Sequence, residues 1–228
     1  MEEVGAMLTV QDIEKEEPVT LKSPKNPTPT ETVFLSNIDQ TLAFPVGTVF
    51  FFDVIPSMKH STVGIAERVK KAMSDVFLIP YYFMAGRLNY NAEDNRLELV
   101  CNNAGVSFVS AMSTLRLKDL GDLRLPNPSF QHLIVRVGRQ PEELVEAPIF
   151  TIQAIFTTSF HFKNSKTKIV ESMFLIGLMF FRSQGSSVEA SQSALSQTIA
   201  CLMAEQQQRC SGTSARYAEA TTLKTFKT

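Results

Sequence analysis

The chain has 228 residues with a formal net charge of −1, and 44% of its residues are hydrophobic. This hydrophobic share is too high for a disordered chain and predicts a packed core in one large domain or two small ones. The balanced charge provides no field that would attract nucleic acid or anionic lipid, so we expect no nucleic-acid partner.

The cysteines and the apolar segments indicate where the chain resides. Cys101, Cys201 and Cys210 form an odd number without the spacing of a metal site, which indicates a reducing compartment. The N-terminal stretch MEEVGAMLTV has no signal-peptide apolar core. The strongest apolar run, Met173–Phe181, is shorter than the roughly 20 residues of a membrane-spanning helix. We therefore expect a cytoplasmic protein with no transmembrane segment and no metal ion.

The chain begins with a polar segment that contains several prolines. Residues 1–31 predict an extended lead-in with one short strand at Val19–Leu21. A folded domain is predicted over residues 32–153. Within it the stretch TVFFFDVI, residues 48–55, is rich in β-branched and aromatic residues, which predicts a buried strand.

An amphipathic helix is predicted after this strand. Apolar residues recur at helical spacing from Ile65 to Phe77, with charged residues between them. Ser61 or Thr62 is the expected N-cap, because a hydroxyl there can accept a hydrogen bond from a free N–H of the first turn. This is the clearest helical pattern in the chain.

Strand patterns dominate the rest of the predicted domain. RLELVC (96–101) and GVSFVSA (105–111) predict two strands, and the turn CNNAG between them predicts a β-hairpin. Pro126 and Pro128 predict a loop, and APIFTIQAIF (147–156) starts another strand. Strands mixed with one clear helix predict an α/β or α+β domain.

The composition changes abruptly near residue 182. Phe, Ile, Lys and Asn make up thirteen of the 28 residues from 154 to 181, but only four of the 47 residues from 182 to 228. All four residue types have A/T-rich codons. No packing rule accounts for such a change, whereas a change in the origin of the coding sequence does.

Four stretches carry a family signature: FLSNIDQ (34–40), TVFFF (48–52), PYYFMAGRL (80–88) and RLELVCNNAGVSFVSA (96–111). Their order and spacing resemble the N-terminal domain of the plant BAHD acyltransferases, over about residues 19–153. The resemblance implies an α/β fold, the N-terminal half of a two-domain chloramphenicol-acetyltransferase-like structure. This half has a mixed sheet with flanking helices, and an unstructured or poorly packed C-terminal tail is expected after it.

The resemblance also implies an activity. BAHD enzymes transfer an acyl group from the co-substrate acyl-CoA to an alcohol or amine acceptor, without a bound cofactor. The LSNIDQ version of the first motif is most similar to members that transfer hydroxycinnamoyl groups to omega-hydroxy acids or fatty alcohols. The expected partners are therefore an acyl-CoA donor and an alcohol or amine acceptor.

The motif residues are expected to have structural rather than catalytic roles. Gly86 is expected at a turn position closed to residues with a Cβ. Arg87 is suited to pairing with a carboxylate and with backbone carbonyls, and Asp39 is its candidate partner. Ser36 lies in the same motif as Asp39.

The resemblance assigns two residues to the acceptor side of the enzyme. Thr48 and Phe50 occupy the strand that, in the family, faces the acceptor pocket. For Phe50 alone, packing in the core is favoured over contact with a ligand because Phe is one of the residue types most often buried.

The chemistry of the family is missing from this chain. The resemblance implies a catalytic base, the His of an HxxxDG motif, which takes the proton from the acceptor hydroxyl. None of the three histidines, His60, His132 and His161, has Asp four residues later. The DFGWG-type motif, GxSxG, the P-loop and GxGxxG are absent as well. We therefore predict no catalytic residue and an inactive chain.

A shifted reading frame can restore the missing motif. When the third base of each codon is read with the first two bases of the next, the codons across residues 198–204 can encode HxxxDG. Its final Gly, which spans Met203 and Ala204, is forced by the genetic code. Codons across Ser187–Ala190 can encode Cys-Gly-Gly at the spacing that the family shows.

The residues at the junctions fit the ends of an intron. Phe180-Phe181-Arg182 can be encoded as a pyrimidine tract followed by AG, and Gln153-Ala154 as CAG-GC, a weak donor. Removing 28 codons and two further bases produces the required shift. Residues 154–181 are therefore predicted to be translated intron and residues 182–228 an out-of-frame tail, with a genuine lineage-specific tail as the alternative.

Three hypotheses for the function follow. The first is an acyltransferase product that is truncated before its catalytic motif and inactive. The second is a non-catalytic interaction or regulatory protein built on the N-terminal domain. The third is a peptide tethered to a membrane by Met173–Phe181, against which the short run argues. Loss of the second domain would expose an apolar face, which predicts non-specific self-association.

Overall fold

The computed structural model describes residues 6–24, 28–41, 43, 46–53, 64–123, 127–133, 147–159, 169–179 and 221–226. In these ranges the chain forms ten strands and two α-helices. The strands are β1 (Ile13–Lys15), β2 (Val19–Leu21), β3 (Glu31–Phe34), β4 (Val46–Asp53), β5 (Arg87–Asn91), β6 (Arg96–Cys101), β7 (Val106–Ser113), β8 (Phe150–Ser159), β9 (Ile169–Met179) and β10 (Thr221–Phe226). The helices are α1 (Asn37–Thr41) and α2 (Ile65–Ala72).

The described strands form two sheets. The larger sheet has the order β1-β7-β8-β9-β4-β10, and β2 also pairs with β7. The smaller sheet has the order β3-β6-β5. The pair β7 and β8 is parallel, whereas β8 and β9 are antiparallel, so the larger sheet is mixed. The predicted mixed sheet with flanking helices is confirmed.

Each face of the larger sheet carries its own core. The helix-side core includes Phe50, Val69, Phe108, Ile152 and Phe156. The opposite core includes Val49, Phe51, Ala111, Phe130 and Ile155. Successive residues of β4 and β8 therefore alternate between the two cores, as the pleat of a strand requires. Both faces are apolar because both are covered.

The N-cap of helix α2 lies two or three residues after the cap predicted from the sequence. Gly64 is the N-cap and has φ +69°, a left-handed conformation that suits a residue without a Cβ. The expected cap at Ser61 or Thr62 was therefore wrong. After α2 the chain continues as a π-helical turn, Met73–Phe77, and this widening puts Met73 and Phe77 into the helix-side core.

The predicted hairpin of β6 and β7 does not form. β6 pairs with β3 and β5 in the smaller sheet, and β7 pairs with strands of the larger sheet. The CNNAG segment is thus a crossover between sheets. Asn103 (φ 49°) and Gly105 (φ +104°) have the positive φ values that this sharp change of direction needs. The same residue types favour hairpin turns, which explains the wrong prediction.

Several strand limits agree with the sequence patterns and others move. The strands predicted at 19–21 and 96–101 are confirmed. The strand predicted at 48–55 is found at Val46–Asp53, with residues 54 and 55 outside the described ranges, and the last predicted strand starts at Phe150 and extends to Ser159. The lead-in is more than an extended arm, since β1 and β2 join the larger sheet through β7.

The tail predicted to pack poorly lies mostly outside the described residues. Of residues 182–228, the structure describes only β10, which pairs with the edge of β4. Among the described helices, none has the length and apolar character needed to cross a bilayer.

Truncating Phe108 should test the helix-side core. Its side chain is 0% exposed, so Phe108→Ala should lower the free energy of unfolding by about 3–5 kcal/mol through lost contacts and a residual cavity. Phe34, 68% exposed, is the matched control, and Phe34→Ala should cost about 1 kcal/mol or less. Urea unfolding followed by circular dichroism measures both values. Equal losses would contradict this description of the core.

Candidate functional site

The motif FLSNIDQ forms the start of helix α1. The backbone N–H of Ser36 donates to the Asp39 carboxylate (2.8 Å), and the N–H of Asp39 donates to the Ser36 hydroxyl oxygen (3.3 Å). This reciprocal arrangement is a capping box, which satisfies two backbone N–H groups at the helix start. Ser36 and Asp39 therefore organise a five-residue helix, and their polar atoms are used within it.

The last residue of this motif attaches α1 to the smaller sheet. The Gln40 side-chain amide donates to the carbonyl of Leu97 (2.7 Å), and its oxygen accepts from the Leu97 N–H (2.9 Å). Gln40 thus imitates the hydrogen bonding of a neighbouring strand. The guanidinium of Arg96 also donates to the Leu35 carbonyl and lies over the Phe34 ring, 4.0 Å from its centroid. Neither the role of Gln40 nor that of Arg96 was predicted from the sequence.

Gly86 is required by a close approach rather than by its φ angle. Its backbone is extended (φ −81°, ψ −170°), which any residue can adopt. A Cβ placed there would lie 2.6 Å from the Val100 carbonyl oxygen and 2.9 Å from that of Phe83. Both are backbone atoms that cannot move aside, so only glycine fits between β6 and the turn that precedes β5.

Arg87 joins the two sheets through backbone carbonyls. Its Nη1 donates to the carbonyl oxygens of Gly86 (2.8 Å) and Gly105 (2.7 Å). Gly105 follows β6 and leads into β7, so one guanidinium bridges the crossover. Burial lowers the pKa of Arg87 from its ordinary value, but arginine remains charged at physiological pH.

The predicted pairing of Arg87 with Asp39 was wrong. The Asp39 carboxylate serves the capping box of α1, and the Arg87 guanidinium is engaged by carbonyls at the crossover. Each group thus finds its partner within or beside its own motif.

The two candidate residues of the acceptor pocket lie on β4. Phe50 is 4% exposed and belongs to the helix-side core, where it packs with residues of α2. The backbone of Thr48 pairs with Gly177 of β9 on one side and Thr225 of β10 on the other. Phe50 is therefore a core residue in this structure.

A buried polar pair on β8 escaped the sequence analysis. Thr151 and Gln153 are each 1% exposed, and neither the Thr151 hydroxyl nor the two Gln153 amide atoms has a hydrogen-bond partner. They lie two residues apart on the face of β8 that carries Ile155 and the opposite core. The alternation in PIFTIQAIF was the only available signal. Unpartnered buried polar atoms are unusual and each one calls for a physical reason.

No arrangement of a nucleophile with a base is found among the described residues. His132 is half-buried in the 3-10 helix Pro128–Leu133, while His60 and His161 lie outside the described ranges. The part of the chain that the structure describes contains no group of His, Cys, Asp and Glu residues able to hold a metal ion.

The Cys101 thiol is buried beside a carboxylate. Burial, and then the negative charge of Glu31, raise the pKa of the Cys101 thiol from 9.0 to about 11. Glu31 itself accepts a hydrogen bond from the Tyr82 hydroxyl (2.6 Å). A thiol that holds its proton so firmly is a poor nucleophile at neutral pH.

Adding one methyl group at Gly86 should destabilise the protein. Gly86→Ala forces a Cβ against two carbonyl oxygens and should lower the free energy of unfolding by roughly 1–3 kcal/mol. Gly64→Asn is the control, because no atom lies within 4 Å of a Cβ there and Asn tolerates the left-handed conformation. Urea denaturation measures the free energy of unfolding of both variants. Wild-type stability of Gly86→Ala would contradict the close approach.

The Cys101 thiol should be unreactive in the folded chain. In a Cys201→Ser/Cys210→Ser background, a disulfide reagent at pH 8 should label Cys101 only as fast as the chain unfolds. The folded pKa of about 11 lies above the unfolded value of 9.0. The folded state therefore holds the proton more tightly, and this thiol's contribution to stability is lost as pH rises from 9 to 11. Immediate labelling at pH 8 would rule out the buried setting.

Known proteins are similar in sequence to this chain over most of the described fold. The model of the Transferase family matches residues 12–161. Acyltransferase GLAUCE of Arabidopsis thaliana is 38% identical over 124 residues, covering 54% of this chain and 26% of its own length. Omega-hydroxypalmitate O-feruloyl transferase, also of Arabidopsis thaliana, is 32% identical over 142 residues, covering 62% of this chain and 30% of its own.

The chain thus spans about a quarter to a third of the length of these curated relatives. Among solved structures, Vinorine Synthase superposes with a TM-score of 0.47 at 16% identity, over 73% of this chain and 37% of its own. The family match extends over more than half of the residues, from β1 past the end of β8. The chain therefore belongs to the Transferase family, the BAHD acyltransferases.

Proposed function

We propose that the chain carries the N-terminal part of an enzyme that transfers a hydroxycinnamoyl-type acyl group from CoA to an alcohol or amine, and that this 228-residue form is inactive. The family match over residues 12–161 is the observation that carries the proposal. The region it covers contains the two-sheet core with both of its apolar faces. A cytoplasmic location is proposed from the odd number of cysteines.

The names of the relatives support this acyl group. One is an O-feruloyl transferase and another a hydroxycinnamoyl-CoA:piscidic acid hydroxycinnamoyltransferase, 39% identical over 130 residues. A third, from Petunia hybrida, is a benzyl alcohol O-benzoyltransferase. All three names describe aromatic acyl groups, and the acceptors that they name differ. The proposal is therefore more specific for the donor than for the acceptor.

Inactivity follows from the proton transfer that the reaction needs. An acceptor hydroxyl attacks the thioester carbonyl only if a base within about 3 Å takes its proton. No histidine of this chain stands in an HxxxD sequence. The buried Cys101 keeps its proton at neutral pH and is no substitute. The chain can therefore provide part of a substrate channel but no base.

The part of the chain after Gln153 is proposed to consist of a retained intron, residues 154–181, followed by an out-of-frame tail, residues 182–228. The composition change supports it, and so does a mismatch in the sheet. β9 places Ile176 and Leu178 in register with the unpartnered Gln153 and Thr151. If the neighbouring strand had evolved together with β8, we would expect polar residues in the positions beside Thr151 and Gln153.

The existence of β9 is compatible with a translated intron. A/T-rich codons read in frame give Phe and Ile, which have high β-propensity. β8 offers an open edge to whatever follows it, and residues 154–157 are buried on β8 whatever their origin. An apolar segment of the right length can therefore occupy the position beside β8 without having evolved for it. Non-specific self-association is proposed for the same chain, since β10 has only one neighbour, β4, among the described strands and an unpaired strand edge pairs readily.

An activity comparison tests the proposal. The 228-residue chain and the full product of the spliced transcript are given hydroxycinnamoyl-CoA and a fatty alcohol, and release of free CoA is measured. The spliced product should turn over, and the 228-residue chain should not exceed a heat-inactivated control. Light scattering checks that each preparation is monodisperse.

Turnover by a monodisperse preparation of the 228-residue chain would refute inactivity. If neither product turns over and the 228-residue chain is a stable monomer, the non-catalytic interaction protein becomes the better explanation.

A further inference from the structure

Three of the buried polar atoms without a partner lie on two residues of one strand, β8. They are the hydroxyl of Thr151 and the amide oxygen and nitrogen of Gln153. Both side chains lie on the same face of the larger sheet, and both residues are 1% exposed. Leaving such groups unsatisfied destabilises a fold. Each such group in a native structure therefore calls for an explanation.

The residues on the two neighbouring strands explain why Gln153 has no side-chain partner beside it. On one side β7 pairs Val109 with Gln153 and Ser107 with Thr151. On the other side β9 brings Ile176 and Leu178 into these rows. An apolar residue next to Gln153 on both sides offers no side-chain donor or acceptor. Splicing would change the part of β8 that follows Gln153 and the whole strand in the position of β9.

The shifted reading frame predicts which residues would take the place of β9. In a spliced product the first codon after Gln153 spans Arg182 and Ser183, so the sixth to eighth codons are those that can encode Cys-Gly-Gly. A Gly-Gly pair favours a two-residue hairpin loop. β8 ends at Ser159, six residues after Gln153, where such a loop would start.

The pairing of this hairpin follows by counting. Positions are counted from Gln153, which is position 0. With the residues of the seventh and eighth codons in the loop, the residue of the sixth codon pairs with that of the ninth. Position n therefore pairs with position 15 − n. Thr151, at position −2, then pairs with position 17. The seventeenth codon spans Thr198 and Ile199, which is the codon that can encode the His of HxxxDG. Paired residues share a face, so this His would lie beside Thr151 and one row from Gln153.

We infer that Thr151 and Gln153 are positioning residues for the histidine base of the spliced enzyme. This inference rests on the proposed function. An oxygen of this pair accepts the N–H of one imidazole nitrogen, which fixes the tautomer and leaves the other nitrogen to take the proton of the acceptor alcohol. In the 228-residue chain these two side chains lack hydrogen-bond partners because this His is absent.

The first test uses the 228-residue chain. Gln153→Met and Thr151→Val keep the shape of each side chain and remove the unpartnered atoms. Both should raise the urea midpoint of unfolding, because nothing is lost and a buried unsatisfied group is removed. Ile152→Val, on the other face of β8, is the control and should lower the midpoint. A lower midpoint for Gln153→Met would overturn the inference.

The second test uses the full spliced enzyme with hydroxycinnamoyl-CoA and a fatty alcohol. Gln153→Met and Thr151→Val should lower kcat about 10-fold to 100-fold while KM changes little, since misplacing a base affects the chemical step. Thr151→Ser should restore activity. Gln153→Glu should move the acidic limb of the kcat profile up by about one pH unit or more, because a carboxylate stabilises the imidazolium.

The outcomes separate the two proposals. If the spliced enzyme is active and Gln153→Glu leaves the pH dependence of kcat unchanged, the inference is overturned and the proposed function remains intact. If the spliced transcript encodes no His at the seventeenth codon after Gln153, the proposed function fails and the inference fails with it. Ile152→Val should leave the pH profile unchanged in the active enzyme.

Discussion

The hydrogen bonds from Arg87 to the carbonyls of Gly86 and Gly105 determine how the two sheets meet. Even a half-buried guanidinium is costly to leave without acceptors, so the carbonyls must stay in reach. Gly86 allows this by letting the backbone approach Val100. The N–H of Gly105 returns a hydrogen bond to the carbonyl of Ala85 (2.9 Å). The start of β5, the end of β6 and the start of β7 are therefore held at one point.

This junction gives the family motifs their physical meaning. Three of the four stretches that carry the family signature attach the smaller sheet. FLSNIDQ does so through Gln40, and PYYFMAGRL through Gly86 and Arg87. RLELVCNNAGVSFVSA does so through the crossover at Gly105. The fourth, TVFFF, forms the centre of β4, where alternate side chains fill the two cores. The motifs therefore record how the domain is assembled.

Local patterns predicted local structure well. Alternation identified the strand at 96–101, and helical spacing identified α2, because both signals depend only on neighbouring residues. The hairpin between β6 and β7 was mispredicted because Asn and Gly serve a crossover as readily as a hairpin turn. Backbone carbonyls are partners of Arg87 as predicted, whereas Asp39 is not. The carboxylate was mispredicted because the groups that folding brings next to an arginine cannot be read from the sequence.

The buried polar pair on β8 belongs to the same class of features. A Gln inside an apolar strand pattern is visible in the sequence, but its lack of a partner appears only when the strands on both sides are known. β9 satisfies the backbone of β8, with pairing from Phe150 to Ser159, but not these side chains. Backbone pairing tolerates many sequences, whereas buried side-chain hydrogen bonds tolerate few. A strand can therefore complete the backbone pairing of a sheet without satisfying the buried side chains beside it.

The most direct measurement of the central claim is the genomic sequence across codons 150–204, read beside the transcripts of the same tissue. The account predicts CAG-GC at Gln153-Ala154, a pyrimidine tract with AG at Phe181-Arg182, and a second transcript that joins the two and encodes HxxxDG. Genomic DNA whose codons across residues 198–204 cannot encode His and Asp in the shifted frame would contradict it.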